Sequence, residues 1–281
     1  MKQLFCYITT FLLSILSYSQ TGLNASSNPN QKFIPAETSI TYRLGDKKIL
    51  IKKYQFGDVK NIICINLHDN EGTSVEAVKS ILELNGGTLL KIENNLQRII
   101  RFKLAGTTYA FDPNRIFSRA GIQQTLKKNG KISKEAIIEI EKFGQKFLSI
   151  IPSKIDCVVA LHNNTEDGFS IKNYQPGGDK QFDAKSVYTN TNQDIDDLVL
   201  TTDSLLYEKM ADKGFNTVLQ DNNNAFKDGS LSIYFGEINQ RYINIETQHG
   251  KIDQYKKMFE NLLEILVRLN KESPGKPEDS Q

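Results

Sequence analysis

The sequence has few cysteines, few histidines and no long block of charge of one sign. Its 281 residues include three cysteines and three histidines, and 35 basic residues nearly balance 33 acidic ones. Short basic pairs such as Lys52-Lys53 are typical of a solvated surface rather than of a nucleic-acid interface. We therefore predict no nucleic-acid partner, and the hydrophobic content of 39% indicates an ordinary globular protein.

One long uncharged apolar run occurs, and it lies at the amino terminus. Lys2 is followed by apolar residues from Leu4 to Tyr18 and then by Ser19-Gln20. This layout predicts a secretory signal peptide over residues 1–20. The run of about 15 residues is too short to span a bilayer comfortably. We therefore expect an exported protein, periplasmic or secreted, without stable membrane insertion.

Cleavage of that peptide would leave two cysteines, Cys64 and Cys157. Export makes a disulfide permissible. Both residues, however, lie in apolar, strand-like runs, where cysteine usually packs as a small hydrophobic side chain. We therefore predict two free thiols rather than a disulfide.

Strand-like and helix-like patterns alternate over most of the chain. Residues 21–35 are polar and turn-rich, which predicts a linker, and residues 271–281 are typical of a disordered tail. Between them, residues 36–270 indicate one α/β domain. We expect a mixed, mostly parallel, twisted β-sheet flanked by helices.

Several local patterns give more specific predictions. They are a hairpin around Gly45-Asp46, a helix that begins at a Thr73 capping box and ends at Gly86-Gly87, a helix capped by Ser133, strands at Leu231–Phe235 and Tyr242–Glu246, and a final helix from about Ile252 to Leu269. The segment from Asn163 to Asp197 shows no periodic element. Long segments of this kind are usually functional or mobile, so we expect a lid or substrate wall, with a plain surface excursion as the alternative.

Polar side chains follow three of the predicted strands. His68 with Glu71, His162, and Glu246 each come at or just after the end of an apolar run. Ligands of α/β proteins bind beyond the carboxyl ends of the strands. Two histidines and one carboxylate match the protein ligands of a catalytic zinc, and a further carboxylate could deprotonate a water molecule there. A single histidine at a strand end is more often structural, so the prediction depends on the whole set.

Four short segments carry a resemblance to a known family. HDNE at 68–71 resembles the HxxE zinc motif of the metallocarboxypeptidase superfamily, and ALHNNTE at 160–166 is similar to the third-ligand segment of its aspartoacylase and succinylglutamate desuccinylase branch. FDPNRIF at 111–117 resembles that branch's DLNRxF segment, and INIETQHG at 243–250 looks like the strand with the superfamily's catalytic glutamate. The segments occur in the family's order, and the resemblance covers roughly residues 36–270.

The resemblance implies a zinc carboxypeptidase-like fold and a role for each matching residue. It implies that one Zn²⁺ is bound by His68, Glu71 and His162, that Asn114 and Arg115 hold a substrate carboxylate, and that Glu246 is the general base. The family usually has another arginine shortly before the Asn-Arg pair, but Thr107 and Thr108 occupy that stretch. Substitutes for it could be Arg98, Arg101 or Arg119, and His249 could contact substrate or lie on the surface.

These features together predict an exported zinc-dependent hydrolase. Its substrate would be a peptide or an N-acyl amino acid, cleaved at an amide bond next to a free carboxylate. The main alternative is a catalytically inactive binding module of the same fold. A metal-dependent carbohydrate deacetylase is less favoured, because Asn114-Arg115 suggests recognition of a carboxylate.

Overall fold

The computed structural model describes residues 32–59, 61–166 and 168–272 of the chain. The predicted signal peptide lies outside these residues, as do most of the predicted linker and most of the predicted tail. Within the described part, Phe33 already packs on the domain, because its backbone N–H donates to the carbonyl of Glu83.

The chain forms eleven β-strands and six α-helices within the described residues. The strands are β1 (Ala36–Leu44), β2 (Lys47–Phe56), β3 (Ile62–Asn66), β4 (Gly87–Glu93), β5 (Ile100–Leu104), β6 (Thr107–Phe111), β7 (Cys157–Asn164), β8 (Ala184–Tyr188), β9 (Leu198–Thr201), β10 (Asn216–Gln220) and β11 (Tyr242–Gln248). The helices are α1 (Gly72–Asn85), α2 (Arg119–Lys128), α3 (Lys134–Leu148), α4 (Ser204–Asp212), α5 (Leu231–Glu237) and α6 (Ile252–Glu272).

Nine of these strands form one mixed sheet, in the order β1-β2-β4-β3-β7-β11-β9-β10-β8. The four central strands β4, β3, β7 and β11 run parallel to one another, whereas the hairpin β1-β2 and the strand β8 pair antiparallel at the edges. Strands β5 and β6 form a separate hairpin. The predicted single α/β domain with a large mixed sheet is confirmed, and its parallel pairing is concentrated in the centre.

Helices cover both faces of the sheet, which explains why the central strands β3 and β7 are buried along their whole length. Side chains alternate between the faces of a strand. In β3, Ile63 and Ile65 pack in the core shared with α2, α3 and α5, whereas Ile62 and Cys64 pack in the core shared with α1, α4 and α6. Parallel strands buried on both faces are typically continuous hydrophobic runs.

Cys64 and Cys157 belong to the same core and are both free, as predicted. Burial raises the pKa of both thiols, so neither has the thiolate character of a reactive cysteine. Among the described helices, none is long and apolar enough to cross a membrane.

Two local predictions are wrong. Leu231–Phe235 is part of helix α5 rather than a strand, because an apolar run of five residues fits either element and its contacts decide between them. Thr73 does not cap α1, which instead begins after Glu71. The hydroxyl of Thr73 accepts a hydrogen bond from the backbone N–H of Gly250, and Ser74 bonds to the carbonyl of Glu71.

The segment from Asn163 to Asp197 has more structure than the sequence indicated. It contains the end of β7, the edge strand β8 and two short 3-10 turns at Ile171–Tyr174 and Gln181–Asp183. Helix α2 and strand β6 were also not predicted. Both flank the segment that carries Asn114 and Arg115, so they matter for the site.

A close backbone approach at Gly121, in α2, fixes that segment. A Cβ atom at this position would lie 2.6 Å from the carbonyl oxygen of Asp228 and 2.8 Å from that of Arg115. Both atoms belong to the backbone, so neither can move aside without shifting its whole loop.

We expect Gly121→Ala to lower the free energy of unfolding by about 1–3 kcal/mol, the usual cost of overpacking. Chemical denaturation measures this change. Gln124→Ala, at an exposed position of the same helix, is the control and should remain within about 0.5 kcal/mol of wild type. Equal stabilities for the two variants would show that α2 can move away from the Arg115 loop.

Candidate metal centre and its pocket

Three side chains with metal-binding atoms meet at the carboxyl edge of the central strands. His68 follows β3, Glu71 immediately precedes α1, and His162 lies in β7. The Nδ1 atom of His68 is 3.0 Å from Glu71 Oε1, and the Nδ1 atom of His162 is 2.8 Å from Glu71 Oε2. The two imidazole Nδ1 atoms are 3.3 Å apart. The structure thus brings together the three residues predicted as ligands.

The position of Glu71 follows from the way α1 begins. Glu71 is the residue before the first helical turn, yet its carboxylate does not bond to the backbone N–H groups of that turn. The backbone N–H of Ser74 donates instead to the side-chain Oδ1 atom of Asn163. The carboxylate of Glu71 is therefore free to face the two histidines.

All three groups are removed from solvent, and the pKa values of Glu71 and His68 depend on the charged groups around them. Burial alone disfavours the ionised form of Glu71, but His162 and His68 outweigh it and hold the pKa of its carboxyl well below the ordinary range. Burial likewise opposes the protonated form of His68, but Glu71 and Asp112 outweigh it and raise the pKa of its imidazole. In the absence of a metal, the cluster is therefore an ionic one.

Asp112 is a site residue that the sequence analysis did not single out. Its Oδ1 atom lies 2.7 Å from His68 Nε2, the ring nitrogen that faces away from Glu71. Such a contact fixes the orientation of the imidazole and leaves the other nitrogen for a metal. Asp112 was present in the FDPNRIF segment, but only its distance from His68 in space reveals its role.

The donor set fits a divalent transition metal such as zinc. Two imidazole nitrogens and one carboxylate are common zinc ligands, and ligand atoms about 2.0–2.1 Å from a tetrahedral ion lie about 3.3 Å from one another. The atoms of this site lie within 4.8 Å of one another. His68, Glu71 and His162 would therefore hold such an ion after small rearrangements of their side chains.

Glu246 stands beside this centre because of the register of the sheet. It pairs directly with His162 across the parallel strands β7 and β11. Its carboxylate accepts a hydrogen bond of 3.1 Å from the side chain of Asn244. Burial raises the pKa of Glu246, Glu71 raises it further, and His162 opposes the shift. A carboxyl group in this environment is suited to accept and return a proton.

These groups open into one cavity of about 450 Å³. Of the predicted site residues, Glu71, Asn114, Arg115, His162 and Glu246 line it, together with His249. His68 is completely buried behind them. The segment from Asn163 to Asp183 contributes Phe169, Tyr174, Lys180 and Asp183 to the lining, so part of the predicted substrate wall does border the cavity.

Among the three arginines considered as substitutes, Arg98 lies at the site. Its guanidinium contacts the carboxylate of Glu71, and its Nε atom is 3.5 Å from Asp112 Oδ2. Arg119 instead pairs with Glu141 on the surface. Arg101 is on an outward-facing position of β5 and does not line the cavity.

Asn114 and Arg115 form a short 3-10 turn after Asp112. The Oδ1 atom of Asn114 accepts the backbone N–H of Leu231 at 3.0 Å, which ties this turn to the start of α5. The Arg115 guanidinium donates to the carbonyl of Asn114, and its Nε atom is 3.4 Å from Asp228 Oδ2. Asp228 is thus a second site residue that the sequence analysis missed.

No protein-family model and no curated protein matches the chain. Among solved structures, it is similar to the murein-tripeptide amidase MpaA from Escherichia coli O157, with 13% identity, coverage of 88% of this chain and 95% of that one, and a TM-score of 0.42. It is also similar to an aspartoacylase family protein from Mesorhizobium loti MAFF303099, with 14% identity, coverage of 83% and 67%, and a TM-score of 0.41.

A third similar structure is a protein described as a metallopeptidase from Shewanella denitrificans OS217. It shares 11% identity, with coverage of 82% of this chain and 84% of that one, and a TM-score of 0.38. Because the identities and TM-scores are low, the chemistry of this chain has to be inferred from its own residues.

The ionic cluster predicts a pH dependence for the metal-free protein. Glu71 and Asp112 have lower pKa values in the folded chain than in the unfolded chain, where the pKa of each is about 4. Their ionised carboxylates therefore stabilise the fold above about pH 4, and this stability is lost as the pH falls through the pKa values of the folded chain. His68 has a higher pKa in the folded chain than in the unfolded chain. Its protonated imidazole therefore stabilises the fold below about pH 6.5, and this stability is lost as the pH rises through the pKa of the folded chain. The cluster should therefore contribute most between about pH 4.5 and 6.5.

The measurement is the free energy of unfolding against pH, with a chelator present, for wild type and Glu71→Gln. We expect the difference between the two proteins to be greatest inside that window. The exposed Glu76→Gln, on the same helix, is the control. A difference that does not vary with pH would contradict the ionic description of the cluster.

Proposed function

We propose that the chain is an exported zinc-dependent hydrolase that cleaves an amide bond next to a free carboxylate. The observation that supports this most directly is the convergence of His68, Glu71 and His162 beside the buried carboxylate of Glu246. A metal-ligand set and a separate proton acceptor in one cavity are the two requirements for metal-assisted hydrolysis.

Zinc bound by these three residues would polarise the scissile carbonyl and make a water molecule more acidic. The protein's own groups have the remaining tasks. Glu246 accepts the proton of the attacking water and delivers it to the leaving nitrogen, for which its raised pKa is suited. Asp112 keeps the His68 ring in the orientation that presents Nδ1 to the centre.

Arg98 is the best-placed cation for the developing negative charge on the carbonyl oxygen. It lines the cavity next to Glu71, and nearly half of its side chain is exposed, so it can reorient toward a substrate. A cation placed beside the position where negative charge develops stabilises an oxyanion.

Asn114 and Arg115 would hold the substrate's carboxylate. The guanidinium can bind a carboxylate through two parallel hydrogen bonds, which sets the distance between that carboxylate and the scissile bond. This requirement favours C-terminal residues of peptides and N-acyl amino acids, and it disfavours carbohydrate esters or amides that lack such a group.

The inactive binding module is the second candidate, and Glu246 argues against it. Burying a carboxyl group without a complete set of partners costs free energy. Its only hydrogen-bonding partner among the described residues is Asn244. A proton acceptor is the role that accounts for this cost, because burial raises the pKa of the Glu246 carboxyl in the direction that suits a general base.

The enzyme and the binding module are separated by a comparison of Glu246→Gln with His162→Ala. Glu246→Gln should retain about one zinc per chain and wild-type thermal stability, and lose about 10²–10⁴ in turnover, because only the proton acceptor is removed. His162→Ala should lose both zinc and turnover. Metal analysis and a screen of peptides and N-acyl amino acids, with C-terminally amidated peptides as controls, measure these effects.

Full turnover in Glu246→Gln with its zinc intact would rule out Glu246 as the base. Loss of zinc in that variant would make Glu246 a ligand. Equal zinc in wild type and His162→Ala would contradict the assignment of the metal centre itself.

Export is the part of the proposal that rests on sequence alone. The uncharged run after Lys2 and the small residue Ser19 are typical of a cleaved signal peptide. We expect mass spectrometry of the exported protein to find a mature chain that begins near residue 20. A functional form that retains Met1 would contradict export through this peptide.

A further inference from the structure

Arg98 reaches the cavity from the short loop between β4 and β5, residues 94–99, here called the Arg98 loop. Two consecutive residues of this loop, Asn95 and Leu96, have positive φ angles of 54° and 56°. Asparagine tolerates this left-handed conformation, whereas leucine is strained in it. Leu96 is 76% exposed, so packing of its side chain does not account for the strain. Other contacts must hold the loop in this shape.

The carboxylate of Asp69 supplies these contacts. Its Oδ2 atom accepts a hydrogen bond of 2.6 Å from the backbone N–H of Asn94 and one of 2.8 Å from the backbone N–H of Leu96. Its Oδ1 atom accepts a hydrogen bond from the ammonium group of Lys91, in β4. Asp69 is buried and does not line the cavity. It therefore acts on the loop and on the strand before it, not on a substrate.

The side chain of Asn94 fixes the other end of the loop. Its Nδ2 atom donates to the carbonyl of Gln97 at 2.9 Å and to that of Ile99 at 3.1 Å. Both chain neighbours of Arg98 are thus tied to Asn94, and the backbone of Asn94 is tied to Asp69. A strained backbone persists only where surrounding contacts enforce it, and such segments are concentrated at functional sites.

The guanidinium that this loop carries lies between two carboxylates of the site. It contacts Glu71, and its Nε atom is 3.5 Å from Asp112 Oδ2. The side chain of Arg98 is 43% exposed, so packing fixes it only in part. The place of the guanidinium therefore depends on where the loop holds the backbone of Arg98. The two acidic residues of the HDNE segment thus have different contacts, because Glu71 faces the histidines and Asp69 holds the loop.

We propose that Asp69 is a positioning residue, which holds the strained Arg98 loop so that the guanidinium stands where negative charge develops on the scissile carbonyl. This inference rests on the proposed hydrolytic function. Without the Asp69 carboxylate, Leu96 would relax to a negative φ angle, and the backbone at Arg98 would turn with it.

Asp69→Asn tests the carboxylate with little change of shape. An asparagine has a single side-chain oxygen, so it can accept from the two loop N–H groups or from Lys91, but not from both. We expect kcat to fall by roughly 10- to 100-fold with KM and zinc content unchanged, because an oxyanion contact is made only in the transition state. The control is Asp212→Asn, which removes an exposed carboxylate outside the cavity and should keep wild-type kcat. Wild-type kcat in Asp69→Asn, or loss of its zinc, would overturn the proposal.

Two substitutions of the exposed Leu96 test the same contact from the loop and leave Asp69 intact. Proline cannot adopt a positive φ angle and has no N–H to donate to Asp69, so Leu96→Pro should reproduce the loss of kcat even if Asp69→Asn does not fold. Glycine adopts a positive φ angle without strain. Adding Leu96→Gly to Asp69→Asn should therefore raise kcat by about 3-fold or more. Wild-type kcat in Leu96→Pro, or no recovery in the double variant, would show that Asp69 does not act through the loop.

Solvent exchange of the Arg98 Nε–H group, measured by ¹⁵N NMR, follows the guanidinium without any substrate. We expect this exchange to be faster by about 10-fold or more in Asp69→Asn and Leu96→Pro than in wild type, because the group loses its fixed place beside Asp112. Faster exchange in a protein that cleaves no substrate of the screen would support positioning by Asp69 and count against the proposed hydrolysis alone. Unchanged exchange in both variants would overturn the positioning role.

Discussion

The pairing of β7 with β11 is the constraint on which the site depends. It places Glu246 directly opposite His162, on neighbouring parallel strands. Because side chains alternate along a strand, a shift of one residue would turn Glu246 to the opposite face of the sheet. That face is occupied by Ile243 and Ile245, which pack against the α1 and α6 side of the core. Burial of these two isoleucines therefore holds the carboxylate in the cavity.

Helix α6 strengthens this register. Tyr255 is completely buried against β11, and its hydroxyl donates to the carbonyl of Ile245 at 3.2 Å. Its neighbours Phe259 and Leu262 fill the same core. Helix α6 thus fixes a strand whose opposite face carries Glu246, so packing on one face of β11 holds the carboxylate in place on the other.

The sequence was sufficient for the features that repeat or that keep a fixed order. Apolar periodicity predicted most strands and the long helices, and the motif order predicted that His68, Glu71, His162 and Glu246 belong together. The sequence could not reveal Asp112 or Asp228. Asp112 contacts His68, and Asp228 contacts Arg115. Both partners are distant in sequence, so these contacts exist only in the folded chain. The prediction of a strand at Leu231–Phe235 was wrong for a related reason. A short apolar run has no periodicity that distinguishes a helix from a strand.

One half of the cavity is formed by residues at the ends of central strands, and the other half by loops. The metal-binding half consists of residues at the ends of central strands, where a change would disturb the core. The other half includes loops that carboxylates hold together. Asp183 accepts a hydrogen bond of 2.8 Å from the backbone N–H of Phe226, and Asp228 accepts one from the backbone N–H of Ser230. Loops on a rigid scaffold can change their side chains while the scaffold keeps its geometry. Side chains on these loops can therefore vary without disturbing the residues proposed to bind the metal.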